Sequence, residues 1–130
     1  MLGRYPSLLI TDDDPDFRET LQVVFEPKGF RTILAGDGEQ AIEIVRHEEV
    51  HLVLLDMHMP KLTGLETLRL VKQFKALLPC ILLSAHWDDV LLEEVRREHA
   101  FDVLSKPVTL RQITGAVRQA MERTYAWHDG

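Results

Sequence analysis

The stretch Leu52-Val53-Leu54-Leu55-Asp56-Met57-His58-Met59-Pro60 joins an unbroken apolar run to a carboxylate. Four consecutive apolar residues without polar alternation are typical of a central strand in a parallel sheet, because other elements cover both of its faces. Such sheets place their ligands at the carboxyl ends of the strands. The stretch therefore predicts a buried strand at Leu52–Leu55 that carries Asp56 to the edge of a sheet where chemistry occurs.

Segments of strand length and segments with helical spacing alternate on either side of this stretch. Four further strands are predicted at Leu8–Thr11, Arg31–Ala35, Cys80–Ser84 and Asp102–Ser105. The intervening segments repeat apolar residues with the period of a helix, as at Phe17, Leu21, Val24 and Phe25 or at Leu110, Ile113, Val117, Ala120 and Met121. Five such alternations predict parallel strands with right-handed crossovers, in a three-layer α/β sandwich.

Local chemistry marks where the helices begin. An N-cap or capping box is predicted at Asp14 before Pro15, at Thr63 with Glu66, and at Thr109 with Gln112. Gly29 and Gly36 lie where the chain must turn between elements.

Length and composition restrict the class of protein. The 130 residues are 45% hydrophobic, which favours one globular domain over residues 1–130 with a core of about residues 7–124. The apolar runs are too short to span a membrane, and the net charge of −6 disfavours direct binding to nucleic acid. Cys80 is the single cysteine, so no internal disulfide is possible, and a cytoplasmic location is expected.

Charged and hydroxyl side chains follow four of the five predicted strands. They are Asp12-Asp13-Asp14, Asp56, Ser84 and Ser105-Lys106-Pro107. Two carboxylates at ~4 Å repel by about 4 kcal/mol at an effective dielectric near 20, and a hard divalent cation such as Mg²⁺ relieves this. Carboxylates, a divalent ion, a lysine and a hydroxyl suit phosphoryl transfer, with Asp56 as nucleophile and Asp12 and Asp13 as metal ligands.

From Leu8 to about Tyr125 the chain resembles a response-regulator receiver domain of the CheY type. The matching stretches are Leu9-Ile10-Thr11-Asp12-Asp13-Asp14, Leu52 through Pro60 with Gly64, Leu82-Leu83-Ser84-Ala85, and Leu104-Ser105-Lys106-Pro107. The resemblance implies a doubly wound, flavodoxin-like sheet of five parallel strands in the order 2-1-3-4-5.

The resemblance also implies roles for residues. Asp56 would accept a phosphoryl group from a phosphohistidine on a sensor histidine kinase or phosphotransfer protein. Mg²⁺ or Mn²⁺ would be held by Asp12, Asp13, Asp56 and the backbone carbonyl of His58, while Ser84 and Lys106 would contact the phosphoryl oxygens. Phosphorylation would change the face of the fourth helix, fifth strand and fifth helix, which would act on an effector protein or an effector domain. No substrate turnover is expected.

The sequence departs from the family pattern at several positions. Val103 stands where an aromatic switch residue is usual, and Phe101, two residues earlier, is expected on the same strand face as its substitute. His99 replaces the usual glycine before the fifth strand. His58 and His86 occupy positions that tune phosphate lifetime in the family, and Trp87 is predicted to lie on the loop beside the site.

Three alternative functions remain open at this point. A phosphatase with an aspartate nucleophile would need a second aspartate at the position of His58, and an FMN-binding loop would be repelled by Asp12-Asp13-Asp14. A degenerate receiver that acts only as an interaction module is disfavoured because all five site positions are filled. A homodimer through the face of the fourth helix is a further expectation, and the chain acts either alone or as part of a longer regulator.

Overall fold

A computed structural model describes residues 5–128 of the chain. Strands and helices alternate along it from β1 to α5. The strands are β1 Ser7–Thr11, β2 Arg31–Ala35, β3 Leu52–Asp56, β4 Cys80–Ser84 and β5 Asp102–Ser105. The helices are α1 Pro15–Phe25, α2 Gly38–His47, α3 Gly64–Phe74, α4 Asp89–Arg97 and α5 Leu110–Tyr125, with a short 3-10 turn at Glu26–Lys28.

The five strands form one parallel sheet in the order β2-β1-β3-β4-β5, which confirms the predicted order. The central strand β3 pairs with β1 on one side and with β4 on the other. Every residue of β1, β3 and β4 is buried, as the unbroken apolar runs predict. The strand bounds agree with the predicted ones except that β1 starts one residue earlier and β3 includes Asp56.

The core is divided into two apolar layers by the sheet. On one face, α1 and α5 pack through residues such as Leu21, Phe25, Ile113 and Val117. On the other face, α2, α3 and α4 pack through Ala41, Val45, Leu65, Leu68, Val71 and Val95. Alternate residues of each strand belong to alternate layers, so a wholly apolar strand serves both faces. This arrangement is the predicted three-layer sandwich.

Three of the five helices, α1, α3 and α5, start at the predicted caps. The Asp14 carboxylate accepts the Asp16 amide at the start of α1, and complete capping boxes begin α3 at Thr63 and α5 at Thr109. The turn before β5 keeps a left-handed backbone at His99, with φ of 60°. Histidine is among the few residues enriched in this conformation, so the missing glycine does not abolish the turn. Within residues 5–128, no helix has the length and apolarity needed to cross a membrane.

Candidate functional site

Parallel strands bring the predicted site residues to one edge of the sheet. Asp12 follows β1 and its amide bonds the Ala35 carbonyl at the end of β2, at 3.1 Å. Asp56 ends β3 beside Leu83 of β4. Lys106 follows β5, and its amide bonds the Ser84 carbonyl at 2.8 Å. The backbone hydrogen bonds between neighbouring strands therefore fix the Cα positions from which these side chains extend.

Three carboxylates converge at this edge. One carboxylate oxygen from each of Asp12, Asp13 and Asp56 lies within 4.8 Å of the others, and Asp12 and Asp56 are buried while Asp13 is exposed. The orientation of Asp12 is fixed from two sides. Its Oδ1 accepts the Asp14 amide at 2.9 Å, and its carbonyl oxygen accepts Nη1 of Arg18 at 2.6 Å. The cluster therefore offers three carboxylate oxygens as metal ligands, and it is exposed to solvent at Asp13.

Lys106 supplies the positive charge of the site. Its Nζ lies 3.2 Å from Oδ2 of Asp12 and 3.2 Å from Oδ1 of Asp56. It also lies 5.2 Å from the centroid of the Phe17 ring, within cation–π range. Burial by itself would lower the pKa of Lys106, but the charges of Asp12 and Asp56 outweigh burial and raise that pKa. Lys106 therefore stays protonated at neutral pH.

Arg18 and Phe17 were not identified as site residues from the sequence. Both lie in the first turn of α1, directly after the carboxylates of the β1–α1 loop. The signal that would have found them is the Asp14-Pro15 helix start, because it places the next few residues beside Asp12. Their contacts, to the Asp12 carbonyl and to Lys106, support the position of the two charged groups.

The charge of Asp12 costs stability. Burial raises the pKa of Asp12, and the nearby charge of Asp56 raises it further, while the Asp14 amide and Lys106 partly oppose this. A folded-state pKa above the unfolded value means that folding favours the protonated carboxyl. The protonated Asp12 carboxyl therefore stabilises the fold below the pKa of the unfolded state. This stabilisation is lost as the pH rises through the pKa of the folded state.

The raised pKa of Asp12 leads to a prediction for Asp12→Asn, which removes the charge and keeps the shape of the side chain. We expect the variant to be more stable than the wild type at neutral pH with EDTA present, and this advantage to disappear below the ordinary aspartate pKa of about 3.9. Urea denaturation across a pH series measures the difference. Asp89→Asn, at an exposed position, is the control and should show no such trend. A gain that persists unchanged in acid would contradict the electrostatic explanation.

Ser84 is held by three polar contacts. Its hydroxyl donates to the His86 carbonyl at 3.2 Å and accepts the His86 amide at 3.1 Å. Nε2 of His58 lies 3.1 Å from the same hydroxyl oxygen. The rings of His58 and His86 lie edge to face, with an interplanar angle of 72° and centroids 6.5 Å apart. The two histidines that the sequence singled out are therefore neighbours beside Ser84.

The expectation that Phe101 and Val103 share a strand face is wrong. Phe101 lies before the first residue of β5, so strand alternation does not extend to it. Its side chain packs with the α1–α5 layer, whereas Val103 packs with the α2–α3–α4 layer. Phe101 thus packs against a different apolar layer from the one to which residue 103 belongs. Its proposed role as a substitute switch loses its geometric premise.

Trp87 lies where the sequence predicted it, on the loop between β4 and α4. Its indole Nε1 donates to the Leu104 carbonyl of β5 at 2.8 Å. The half-buried side chain packs against the α2–α3–α4 layer, as Val103 and Leu91 do. An aromatic residue from another loop therefore belongs to the same layer as Val103.

Gly64 is required by the backbone of the site. Its amide donates to the Met57 carbonyl at 3.0 Å, next to Asp56. A Cβ at this position would lie 2.6 Å from the Asp56 carbonyl oxygen and 2.7 Å from Cα of Met57. Backbone atoms at such distances cannot be avoided by a change of rotamer, so the loop itself would have to move.

We expect Gly64→Ala to destabilise the protein by about 1–3 kcal/mol or more, as overpacking does. The matched control is Gly115→Ala in α5, where the nearest atom to a new Cβ is Nη2 of Arg118 at 4.0 Å. That control should gain roughly 0.5–1 kcal/mol, because alanine is the better helix residue. Chemical denaturation of both variants measures the difference. Equal effects of the two substitutions would contradict the close approach at Gly64.

Comparison with known proteins matches this geometry to a family. The model of the response regulator receiver domain matches residues 8–118. Sporulation initiation phosphotransferase F of Bacillus subtilis (strain 168) is 33% identical over 112 residues, which are 86% of this chain and 90% of that protein. The DNA-binding response regulator MtrA of Mycolicibacterium smegmatis is 33% identical over 116 residues, 89% of this chain but 50% of MtrA.

Solved structures agree on the fold. The receiver domain protein (CheY-like) from Methanospirillum hungatei JF-1 superposes with a TM-score of 0.90 and covers 94% of this chain and 98% of its own. At 18% sequence identity, that likeness concerns the fold alone. The chain spans half the length of MtrA and a smaller share of the transcriptional regulatory protein ZraR of Klebsiella oxytoca. The family match, the sheet order and the acidic edge with its lysine agree: the chain belongs to the response regulator receiver domains of two-component signalling systems.

Proposed function

We propose that Asp56 is the phosphoacceptor of a His-Asp phosphorelay. The observation that carries this proposal is the position of Lys106, whose Nζ lies 3.2 Å from a carboxylate oxygen of both Asp12 and Asp56. Asp13 completes the cluster of three carboxylates. A site with a buried aspartate, a fixed cation and oxygen donors suits transfer of a phosphoryl group to a carboxylate.

One oxygen of Asp56 is better placed to react than the other. Oδ1 faces Lys106 and accepts the His58 amide at 3.4 Å, whereas Oδ2 has no hydrogen-bond or ion-pair partner among residues 5–128. Oδ2 would attack the phosphorus of the donor. The bond from phosphorus to the imidazole nitrogen breaks, that nitrogen keeps the electron pair, and an acyl phosphate forms on Asp56.

The donor set supports a hard divalent cation at this site. Three carboxylates face one ammonium group, so the cluster carries more negative charge than Lys106 neutralises. Asp12, Asp13, Asp56 and the backbone carbonyl of His58 would hold Mg²⁺ or Mn²⁺, since these ions prefer oxygen ligands. When bound, the ion neutralises charge on the phosphoryl oxygens.

Lys106 and Ser84 have separate tasks in this proposal. Lys106 would donate to a phosphoryl oxygen while remaining paired with the carboxylates, and its raised pKa keeps the charge in place. Ser84 would donate its hydroxyl proton to another phosphoryl oxygen. Ser84 pairs with Ser105 of β5, and Val103 is part of that strand, so the state of Asp56 would be read on the face of α4, β5 and α5.

The partners follow from the same chemistry. The donor would be a phosphohistidine of a sensor histidine kinase or a phosphotransfer protein. The recipient of the signal would be an effector protein or an effector domain of a longer chain, with a homodimer through the same face as a further form. We propose that the protein forms a single receiver domain, acts in the cytoplasm without direct contact to nucleic acid, and turns over no substrate.

Incubation with acetyl phosphate followed by intact-mass measurement tests the proposed function. We expect a gain of one phosphoryl group in the presence of Mg²⁺ and its loss with EDTA. An acyl phosphate should also disappear on brief treatment with hydroxylamine. A folded protein that gains no mass under any of these conditions would favour the interaction-module alternative. Release of phosphate from an unrelated phosphomonoester would instead favour a phosphatase.

A further inference from the structure

The hydroxyl of Ser84 has its full set of hydrogen bonds in this structure. A serine hydroxyl has one proton to donate and two lone pairs to accept with. The proton goes to the His86 carbonyl, and one lone pair accepts the His86 amide. Nε2 of His58, 3.1 Å from the same oxygen, is the third polar group in contact with this hydroxyl. Ser84 therefore cannot donate to any further group without giving up the His86 carbonyl.

The loop that holds Ser84 is itself attached to β5. Trp87 follows His86 directly, and its indole N–H donates to the Leu104 carbonyl at 2.8 Å. β5 is an edge strand of the sheet, and Trp87 packs against the same apolar layer as Val103 and Leu91. The backbone of His86 is thus placed between two attachments, the Ser84 hydroxyl on one side and the Trp87 indole on the other.

We propose that Trp87 is the positioning residue that holds Ser84 in its resting position, and that phosphorylation of Asp56 releases it. This inference rests on the proposed phosphorylation of Asp56. A hydrogen bond to a charged phosphoryl oxygen is about twice as strong as one to a neutral carbonyl, so the single proton of Ser84 moves to the phosphoryl group. The His86 backbone then loses its donor, the β4–α4 loop shifts, and the indole N–H leaves Leu104.

The consequence of this release is a change of the protein surface beside β5. Release of Trp87 frees the Leu104 carbonyl on β5. Trp87 directly precedes Asp88, the N-cap of α4, so the signal reaches the surface between α4 and β5.

The two tryptophans of the described chain allow a direct test. Trp127 packs on the Phe30 ring, with centroids 4.9 Å apart, in the other apolar layer, and serves as an internal control. We would record the indole N–H resonances of ¹⁵N-labelled protein with acetyl phosphate and Mg²⁺, and measure intact mass on the same sample. Trp87→Phe assigns the two resonances.

We expect the Trp87 indole proton to exchange with water at least about tenfold faster in the phosphorylated protein, because its acceptor is lost, while Trp127 is unchanged. Full phosphorylation by mass with an unchanged Trp87 resonance would overturn the inference and leave the proposed function standing. No gain in mass would mean that the proposed function fails and that the inference fails with it.

A second measurement tests whether the Trp87 indole keeps Ser84 in place before phosphorylation. Trp87→Phe keeps an aromatic ring but removes the indole donor, and Trp127→Phe is the matched control. If the indole holds the loop, Trp87→Phe should take up phosphate from acetyl phosphate roughly two- to tenfold faster than the wild type, the range that one net hydrogen bond provides. An unchanged rate in Trp87→Phe, or the same change in Trp127→Phe, would also overturn the inference.

Discussion

Replacing Asp56 by asparagine is expected to abolish uptake of the phosphoryl group completely. The amide of asparagine fills the same space as the carboxylate but is not a nucleophile, so no acyl phosphate can form. The variant should remain folded, because the substitution removes the repulsion between positions 56 and 12 that contributes to the raised pKa of Asp12. Intact mass after incubation with acetyl phosphate and Mg²⁺ gives the result directly.

The control for this experiment is Asp89→Asn at an exposed position in the first turn of α4. It should gain one phosphoryl group at the wild-type rate. Retention of the mass gain in Asp56→Asn would place the phosphoryl group on another residue, and peptide mapping would then identify it. Loss of the gain in both variants would indicate damage to the fold or to the α4 face.

Replacing Lys106 by methionine is expected to slow phosphorylation by about 10²–10³-fold, the effect of removing one preorganised electrostatic group from an active site. Methionine keeps an unbranched chain of similar length but brings no charge to the position 3.2 Å from Asp12 and Asp56. The phosphoryl oxygens would then lack their fixed cation. Initial rates of mass gain at saturating Mg²⁺ measure the loss.

Lys61→Met provides the matched control for the charge change. The Lys61 ammonium is half exposed and pairs with Asp37 and Glu39 at 3.6 and 3.7 Å, and within residues 5–128 it makes no ion pair with Asp12, Asp13 or Asp56. It should keep a rate close to that of the wild type. If Lys106→Met also kept the wild-type rate, the contact to phosphoryl oxygens would not be needed, and Lys106 would serve only to balance charge in the resting site.

Much of the fold could be predicted because its determinants are local. The capping box of Thr63 and Glu66 needs only residues within one helical turn, and the structure contains both of its hydrogen bonds. The apolar run Leu52–Leu55 requires cover on both faces wherever it lies, so it predicts a central strand. The strand order does not have such local determinants. It was predicted from the resemblance to a family and not from the residues alone.

The members of the acidic site could also be predicted from position along the chain. Asp12 and Lys106 follow β1 and β5, Asp56 ends β3, and parallel strands end at the same edge of their sheet. No spacing in the sequence gives the distances between them. The 3.2 Å contacts of Lys106 depend on the register of the strands and on the packing of α1, through Phe17, against the site.

The sequence by itself determined the alternation of strands and helices, the starts of α1, α3 and α5, and the strand ends that carry Asp12, Asp13, Asp56, Ser84 and Lys106. Only the tertiary structure decided that Phe101 and Val103 pack in different layers, that Trp87 donates to Leu104, and that a Cβ at Gly64 would meet the Asp56 carbonyl. The physical reason is the range of the interactions. The periodic spacing of apolar residues and the capping of helices involve residues that are a few positions apart in the sequence. The contacts of Trp87, Phe101 and Gly64 join segments that meet only after the sheet and its two layers of helices have packed.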